Sequence, residues 1–211
     1  MKVLLVNGSP RQHGCTERAL IEVRDALSGL CDDTELIWLG TQVSCCTNCR
    51  CCKGTDATRR CVEGGIVNKF LDMLPGTDAV VFGSPVYYGG LSGQMVNFLT
   101  WCFYSSPKSF VGKYVAGITS SRRAGGPSAL ASFNQFFLMH SMVVVGSQYW
   151  NEVHGDNPEE LKYDVEGMQS MRRLAYNIHN AVHGTNVEFP EKHIHTNFIS
   201  REFLKLQEEG K

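Results

Sequence analysis

Hydrophobic and polar positions along this chain switch repeatedly between a strand-like and a helix-like period. Residues 3–7 form a continuous apolar run ending in a turn signal, as a strand buried on both faces would. Leu20, Val23, Leu27 and Leu30 then share one face and predict a helix from about Glu17 to Leu30. The alternation recurs with a strand at Glu35–Leu39 and a helix at Ile66–Leu74, stopped by Pro75-Gly76. A strand at Ala79–Gly83 precedes a helix from about Gln94 to Tyr104. Another at Tyr114–Thr119 precedes a helix at Ser128–His140 carrying Leu130, Phe133 and Phe137. A fifth strand at Met142–Gly146 precedes a helix near Gly167–His183, where Met168, Met171, Ala175, Ile178 and Val182 recur at helical spacing. Five such units predict an α/β fold: a doubly wound, five-stranded parallel sheet with helices on both faces. Residues 1–183 make up this domain, and 184–211, with a charged end, reads as a C-terminal tail.

Composition narrows the classes. The 211 residues, 43% of them hydrophobic, suffice for one good core. Twenty Lys and Arg nearly cancel 21 Asp and Glu, which gives no basis for an electrostatically driven nucleic-acid binder. The N-terminal apolar run is too short for a signal-peptide core, and no stretch is long enough to span a bilayer. A cytoplasmic, reducing location is therefore expected, and metal or redox use of the nine cysteines outranks a disulfide framework.

Ligands of a doubly wound sheet bind at the carboxyl ends of its strands. The loop after the first strand, Gly8 to Thr16, fits neither the P-loop nor the dinucleotide glycine spacing. It offers Ser9, Thr16 and backbone N–H groups at a helix N-terminus, a neutral phosphate cradle to which Arg11 and His13 can add charge. As a bare turn, it would use Thr16 only as a cap. After the third strand, Ser84, Pro85, Val86, Tyr87, Tyr88 and Gly89 combine glycine-permitted close approach with two aromatic faces. After the fourth, Ser121, Arg122, Arg123, Gly125 and Gly126 open a helix.

Between the second strand and its helix, residues 43–63 hold six cysteines. Cys46, Cys49, Cys52 and Cys61 read C-x2-C-x2-C-x8-C, a spacing with which a chain can wrap corners of an iron–sulfur cluster. A tetrahedral zinc site and free thiols are the other readings. Arg50, Lys53, Arg59 and Arg60 favour thiolates nearby.

Together the three loops and the cysteines resemble the flavodoxin-like NADPH-dependent FMN reductase and iron–sulfur flavoprotein group. The resemblance implies a flavodoxin-like FMN-binding domain with the FMN phosphate held by the Gly-Ser-Pro-Arg stretch (Ser9, Arg11) and Thr16. It puts Ser84, Pro85, Val86, Tyr87, Tyr88 and Gly89 against the isoalloxazine, and Ser121, Arg122, Gly125 and Gly126 on the ring's other side. It implies a 4Fe-4S cluster on Cys46, Cys49, Cys52 and Cys61. The chain departs from the group at Cys15, where Asn is usual, at Pro127-Ser128, and in its longer last cysteine interval. The expected function is an FMN-dependent oxidoreductase that takes electrons from NAD(P)H or ferredoxin and passes them to a small acceptor. The alternatives are an electron-transfer flavoprotein serving a ferredoxin-like partner, or a flavin reductase without a cluster. The flavin carries the chemistry, so no catalytic side chain is required. Relatives imply a homodimer or homotetramer, with Trp101 and Tyr104 suited to a subunit interface; neither nucleic acid nor membrane is expected as a partner. The remaining histidines, Trp150 and Cys102 read as structural.

Overall fold

The computed structural model describes residues 1–30, 32–53, 60–196 and 198–209; within the cysteine-rich stretch expected at 43–63, residues 54–59 lie outside the described residues. The order of elements is β1 (Lys2–Asn7), α1 (Cys15–Gly29), β2 (Asp33–Trp38), α2 (Gly65–Met73), β3 (Ala79–Pro85), α3 (Gly93–Ser105), β4 (Tyr114–Ser121), α4 (Gly126–Met139), β5 (Val143–Val144), β6 (Glu152–His154), α5 (Val165–His183) and α6 (Phe198–Glu208). All pairings are parallel, in the order β2-β1-β3-β4-β5, with β6 also against β4. This is the flavodoxin-like order, in which each strand's carboxyl end opens on one rim.

β1, β3 and β4 carry buried apolar runs because both faces are covered, whereas β2, at the edge, opens on polar Asp33, Thr34 and Glu35. Leu4, Val6, Val80, Phe82 and Val115 meet α2, α3 and α4. Val3, Leu5, Val81, Ala116 and Ile118 meet α1 and α5. On the first face Phe133 lies directly over Gly117 of β4, where a Cβ would come within 2.6 Å of its ring.

The fifth position departs from expectation. Only Val143 and Val144 are strand, pairing low on β4 opposite Tyr114 and Val115. The chain then leaves the sheet and returns as β6 beside Thr119–Ser121. Asn151 causes the excursion: its side-chain amide donates to the Gly117 carbonyl at 3.1 Å and its Oδ1 accepts from Ser147 N at 3.0 Å. The side chain thus takes a ladder position, and 146–150 bulges out between Val145, whose N–H donates to the Val115 carbonyl at 2.8 Å, and Asn151, whose carbonyl accepts from Thr119 N at 2.9 Å.

Beyond the left-handed Gly184 cap of α5, the segment read from sequence as a tail lies along that helix. Gln169, fully buried, donates to the Lys192 carbonyl and accepts from Ile194 N, both at 2.8 Å. Arg172 grips Glu191 through two bonds, Nε to Oε1 at 2.5 Å and Nη2 to Oε2 at 2.6 Å, and reaches Glu22 of α1 at 2.6 Å. Glu166 accepts from Thr196 N at 2.8 Å. The end of α6 is held where Lys162 and Tyr163 meet Glu208 at 2.7 and 2.8 Å.

Two outcomes are expected. Gly117→Ala would force Phe133 from its place, and a buried overpacking of this kind costs about 1–3 kcal/mol; urea unfolding should show the midpoint fall without a change in slope. The Arg172 bonds hold the Glu191 carboxyl below its ordinary value. Their stabilisation is therefore complete above the unfolded value of about 4.3 and is lost as pH falls through the lower folded value. Hydrogen exchange at residues 187–194 should accelerate below about pH 4, and Arg172→Met should produce the same acceleration at pH 7.

Candidate functional site

The loop leaving β1 is shaped from below by buried Asn7, whose Nδ2 donates to the Gln12 carbonyl and whose Oδ1 accepts from Ser9 N, both at 2.9 Å. Trp38, the last residue of β2, donates its indole N–H to the Ser9 carbonyl at 2.8 Å. Ser9 Oγ accepts from Arg11 N at 3.1 Å, which leaves the hydroxyl proton to donate. Helix α1 then starts after Gly14 with no side chain capping its first turn. Those uncapped N–H groups suit a phosphate. Thr16 is turned inward, its hydroxyl 2.8 Å from Ser120 Oγ, and His13 pairs with Glu17 at 2.8 Å. Arg11 is exposed beside the loop.

The loop after β3 closes on itself. Tyr87 and Gly90 exchange backbone bonds of 2.9 Å in both directions, with Tyr88 at φ +52° and Gly89 at φ +76°. Two successive positive φ angles define a type I′ turn, which presents Tyr88 fully to solvent and Tyr87 half exposed. Val86 N donates to the Ser120 carbonyl at 2.9 Å, fastening this loop to the end of β4. Gly125, at φ +99°, completes the contact: a Cβ there would lie 2.9 Å from Val86 Cγ1 and 3.2 Å from the Gly89 Cα. Pro85 and Val86 are half-buried under this turn. Ser84 differs from the surface contact implied for it. It is fully buried, accepting from Ser92 N and donating to the Pro85 carbonyl at 2.9 Å each, and so shapes the loop from inside.

On the other side, Ser121 is buried with its hydroxyl 3.1 Å from His154 Nδ1. Gly126 is buried and Arg122 exposed. His154, at the end of β6, was read as structural; its place beside the strand-end loops comes from the split fifth position, which has no sequence signal beyond a short Glu-Val-His alternation. Its Nε2 lies 3.6 Å from Glu152. A cleft of about 510 Å³ opens here, walled by Tyr149 and Trp150.

The cysteine loop is docked on α3. Gln94 and Asn97 donate to the Thr41 and Val43 carbonyls at 3.0 and 2.7 Å. Tyr104 OH donates to Asn48 at 3.1 Å, and Lys53 lies over the Tyr104 ring at 4.0 Å. From α2, Asn68 clamps both backbone groups of Cys61, at 3.2 and 2.8 Å. Cys46, Cys49, Cys52 and Cys61 line one pocket with Arg50 and Tyr104; Cys45 and Cys51, exposed like Cys49, do not line it. Asn48 and Arg50, on either side of Cys49, take positive φ angles. The Cys51 backbone N–H beside Cys49 lowers that thiol's pKa, and burial pushes Cys102, next to Cys61, well up. Trp101, expected at an interface, is buried beneath this loop, while Tyr104 is bonded to the loop and still 38% exposed.

Both donor sets fit the groups the sequence implied: an uncapped helix N-terminus with a glycine cradle for a flavin phosphate and ring, and four thiols around one pocket for a cluster. The fold and rim define a flavodoxin-like protein. The profile of the NADPH-dependent FMN reductase family matches residues 1–156, and the chain belongs to that family. It is an FMN-dependent oxidoreductase. An iron–sulfur flavoprotein of Methanocaldococcus jannaschii is 31% identical over 198 residues, covering 86% of this chain and 97% of the relative. Among solved structures, RosB with a bound 8-demethyl-8-formylriboflavin-5'-phosphate intermediate superposes with a TM-score of 0.65 at 13% identity, over 94% of this chain and 92% of RosB. The NADH:FMN oxidoreductase EmoB, in its apo form, gives a TM-score of 0.60 at 14% identity, over 92% and 94%. These two likenesses concern the fold.

Gly125→Ala tests the two-loop cradle. Strain at φ +99° plus the clash with Val86 should weaken FMN binding by roughly 10- to 100-fold, from a cost of about 1–3 kcal/mol. Quenching of flavin fluorescence on titration measures it, with far-ultraviolet circular dichroism unchanged.

Proposed function

We propose that the chain moves electrons between FMN at the strand-end loops and a 4Fe-4S cluster on Cys46, Cys49, Cys52 and Cys61. Electrons would come from NAD(P)H or a ferredoxin-like protein and leave to a small acceptor or a redox partner. The observation that carries this reading is the single pocket shared by these four cysteines. It is supported by the printed name of the Methanocaldococcus relative, an iron–sulfur flavoprotein.

When bound, FMN supplies the conversion between two-electron and one-electron transfer. The chain's own residues bind and orient. The first-turn N–H groups of α1 with Ser9 would hold the phosphate, Arg11 adding charge, while the 86–90 turn and Gly125 would fix the ring plane. Arg122 and Arg123, both exposed at the mouth of the β4 loop, would stabilise negative charge at the ring edge. Arg50 and Lys53 would offset the charge of a thiolate-ligated cluster. Assembly into a homodimer or homotetramer belongs to the same reading; exposed Leu138, Met139, Val143, Val144, Tyr149 and Trp150 supply apolar surface for it. No helix among the described residues is long and apolar enough to cross a membrane.

Anaerobically purified protein should contain about four irons and four sulfides per chain beside FMN. Cys49→Ser and Cys52→Ser should each lose most of the iron while retaining flavin. Stoichiometric FMN with rapid NAD(P)H oxidation and only trace iron in the wild type would reduce the protein to a flavin reductase with free thiols. Slow NAD(P)H oxidation alongside fast ferredoxin coupling would make it a carrier.

A further inference from the structure

The strand-end loops occupy one rim of the sheet; at the opposite rim, where β1 and β2 begin, three metal-ligating side chains converge. Asp32 immediately precedes β2, and its side chain is only 2% exposed. His179 and His183 lie one helical turn apart near the end of α5, so both rings face the same way. Nδ1 of His179 is 2.7 Å from Asp32 Oδ2, Nε2 of His183 is 3.2 Å from Oδ1, and the ring centroids are 4.5 Å apart. One ligand atom from each residue lies within 4.8 Å of the other two. The Met1 ammonium sits 3.2 Å from Oδ1 and already balances the single negative charge, which leaves two imidazoles in a place where ion pairing needs neither.

We propose that Asp32, His179 and His183 form a site for one divalent transition-metal ion of the zinc class. Two histidines at i and i+4 with a carboxylate from another element make a ligand set that zinc favours. Bonds of about 2.0–2.1 Å in a tetrahedron put ligand atoms roughly 3.3 Å apart. The nitrogen-to-oxygen separations of 2.7 and 3.2 Å run to the two different carboxylate oxygens, and one ligand atom from each residue lies within 4.8 Å of the others, so the side chains would draw together around the ion. His183, at 38% exposed, gives the entry path and leaves a fourth position open to water. The ion would take over from the Met1 ammonium as the charge facing Asp32. Because it would join residues 147 and 151 positions apart, it would pin the end of α5 to the start of β2, a stabilising clip remote from the flavin loops. The proposal is therefore independent of the electron-transfer reading.

Zinc ions added to the full chain with its FMN, followed by dialysis and metal counting, test the site. The cysteines also take zinc, so the comparison is between wild type, Asp32→Asn and His183→Gln, with cobalt as a spectroscopic probe. The wild type should retain one equivalent more than either variant. Its additional cobalt should give weak visible bands without added sulfur-to-cobalt absorption in the near ultraviolet. At 100-fold excess over the dissociation constant, zinc should raise the wild-type Tm by about 5–10 °C relative to His183→Gln. Equal zinc in all three chains, or extra cobalt showing only sulfur bands, would overturn the proposal. His183→Gln, on the exposed last turn, keeps the test decisive should Asp32→Asn, which strands the Met1 ammonium, fail to fold.

Discussion

One buried serine joins the parts of this protein that matter for its chemistry. Ser92, the N-cap of α3, donates its hydroxyl to the Gly8 carbonyl at 2.6 Å, accepts from Met95 N at 3.2 Å, and donates its own amide to Ser84 at 2.9 Å. The loop after β1, the loop after β3 and the start of α3 thus meet at a residue with no exposed surface. In such a place each unmade bond costs about 1–3 kcal/mol, so the three elements are locked in register. Further along the same helix, Gln94, Asn97 and Tyr104 hold the cysteine loop. The geometry between the strand-end loops and the cysteine loop is set by one helix, not by two loops finding each other.

The cysteine loop shows how a short irregular segment is made to hold a shape. Its described residues form no strand or α-helix, only a 3-10 turn at Cys51–Lys53. Order is imported: backbone carbonyls at its start are bonded by α3, and both backbone groups of Cys61 by Asn68 of α2. Two non-glycine residues, Asn48 and Arg50, are held in the left-handed region. Such strain persists where surrounding structure over-determines it, and it tends to accompany function.

Legibility in the sequence followed physical locality. β1, β3 and β4 could be read because burial on both faces leaves an apolar run, and they fall within a residue or two of the expected spans; β2, an edge strand that opens on Asp33, Thr34 and Glu35, starts two residues before its expected span. The rim loops could be read because glycine, proline and small polar residues mark where a strand ends. The fifth position could not, because Asn151 substitutes a side chain for a ladder bond, a long-range choice without a local period. Ser84 looked like a surface contact by its neighbours in sequence, but its partner Ser92 lies eight positions away and turns it inward. The segment after Gly184 looked like a tail because its anchors, Gln169, Arg172 and Glu166, sit on the preceding helix and carry no mark of it. His154 escaped notice for the same reason as β6.

Dividing that fifth position has an effect on how the molecule behaves in company. A sheet that ends in one long, straight strand offers a continuous template of unpaired amides and carbonyls to any passing chain. Here the border is broken into strand runs of two and three residues, separated by the 146–150 excursion. Val143 and Val144 are apolar and exposed, yet a foreign strand could zip along only two residues before meeting the bulge. The interruption that moves His154 to the rim also guards this edge of the sheet against unwanted polymerisation.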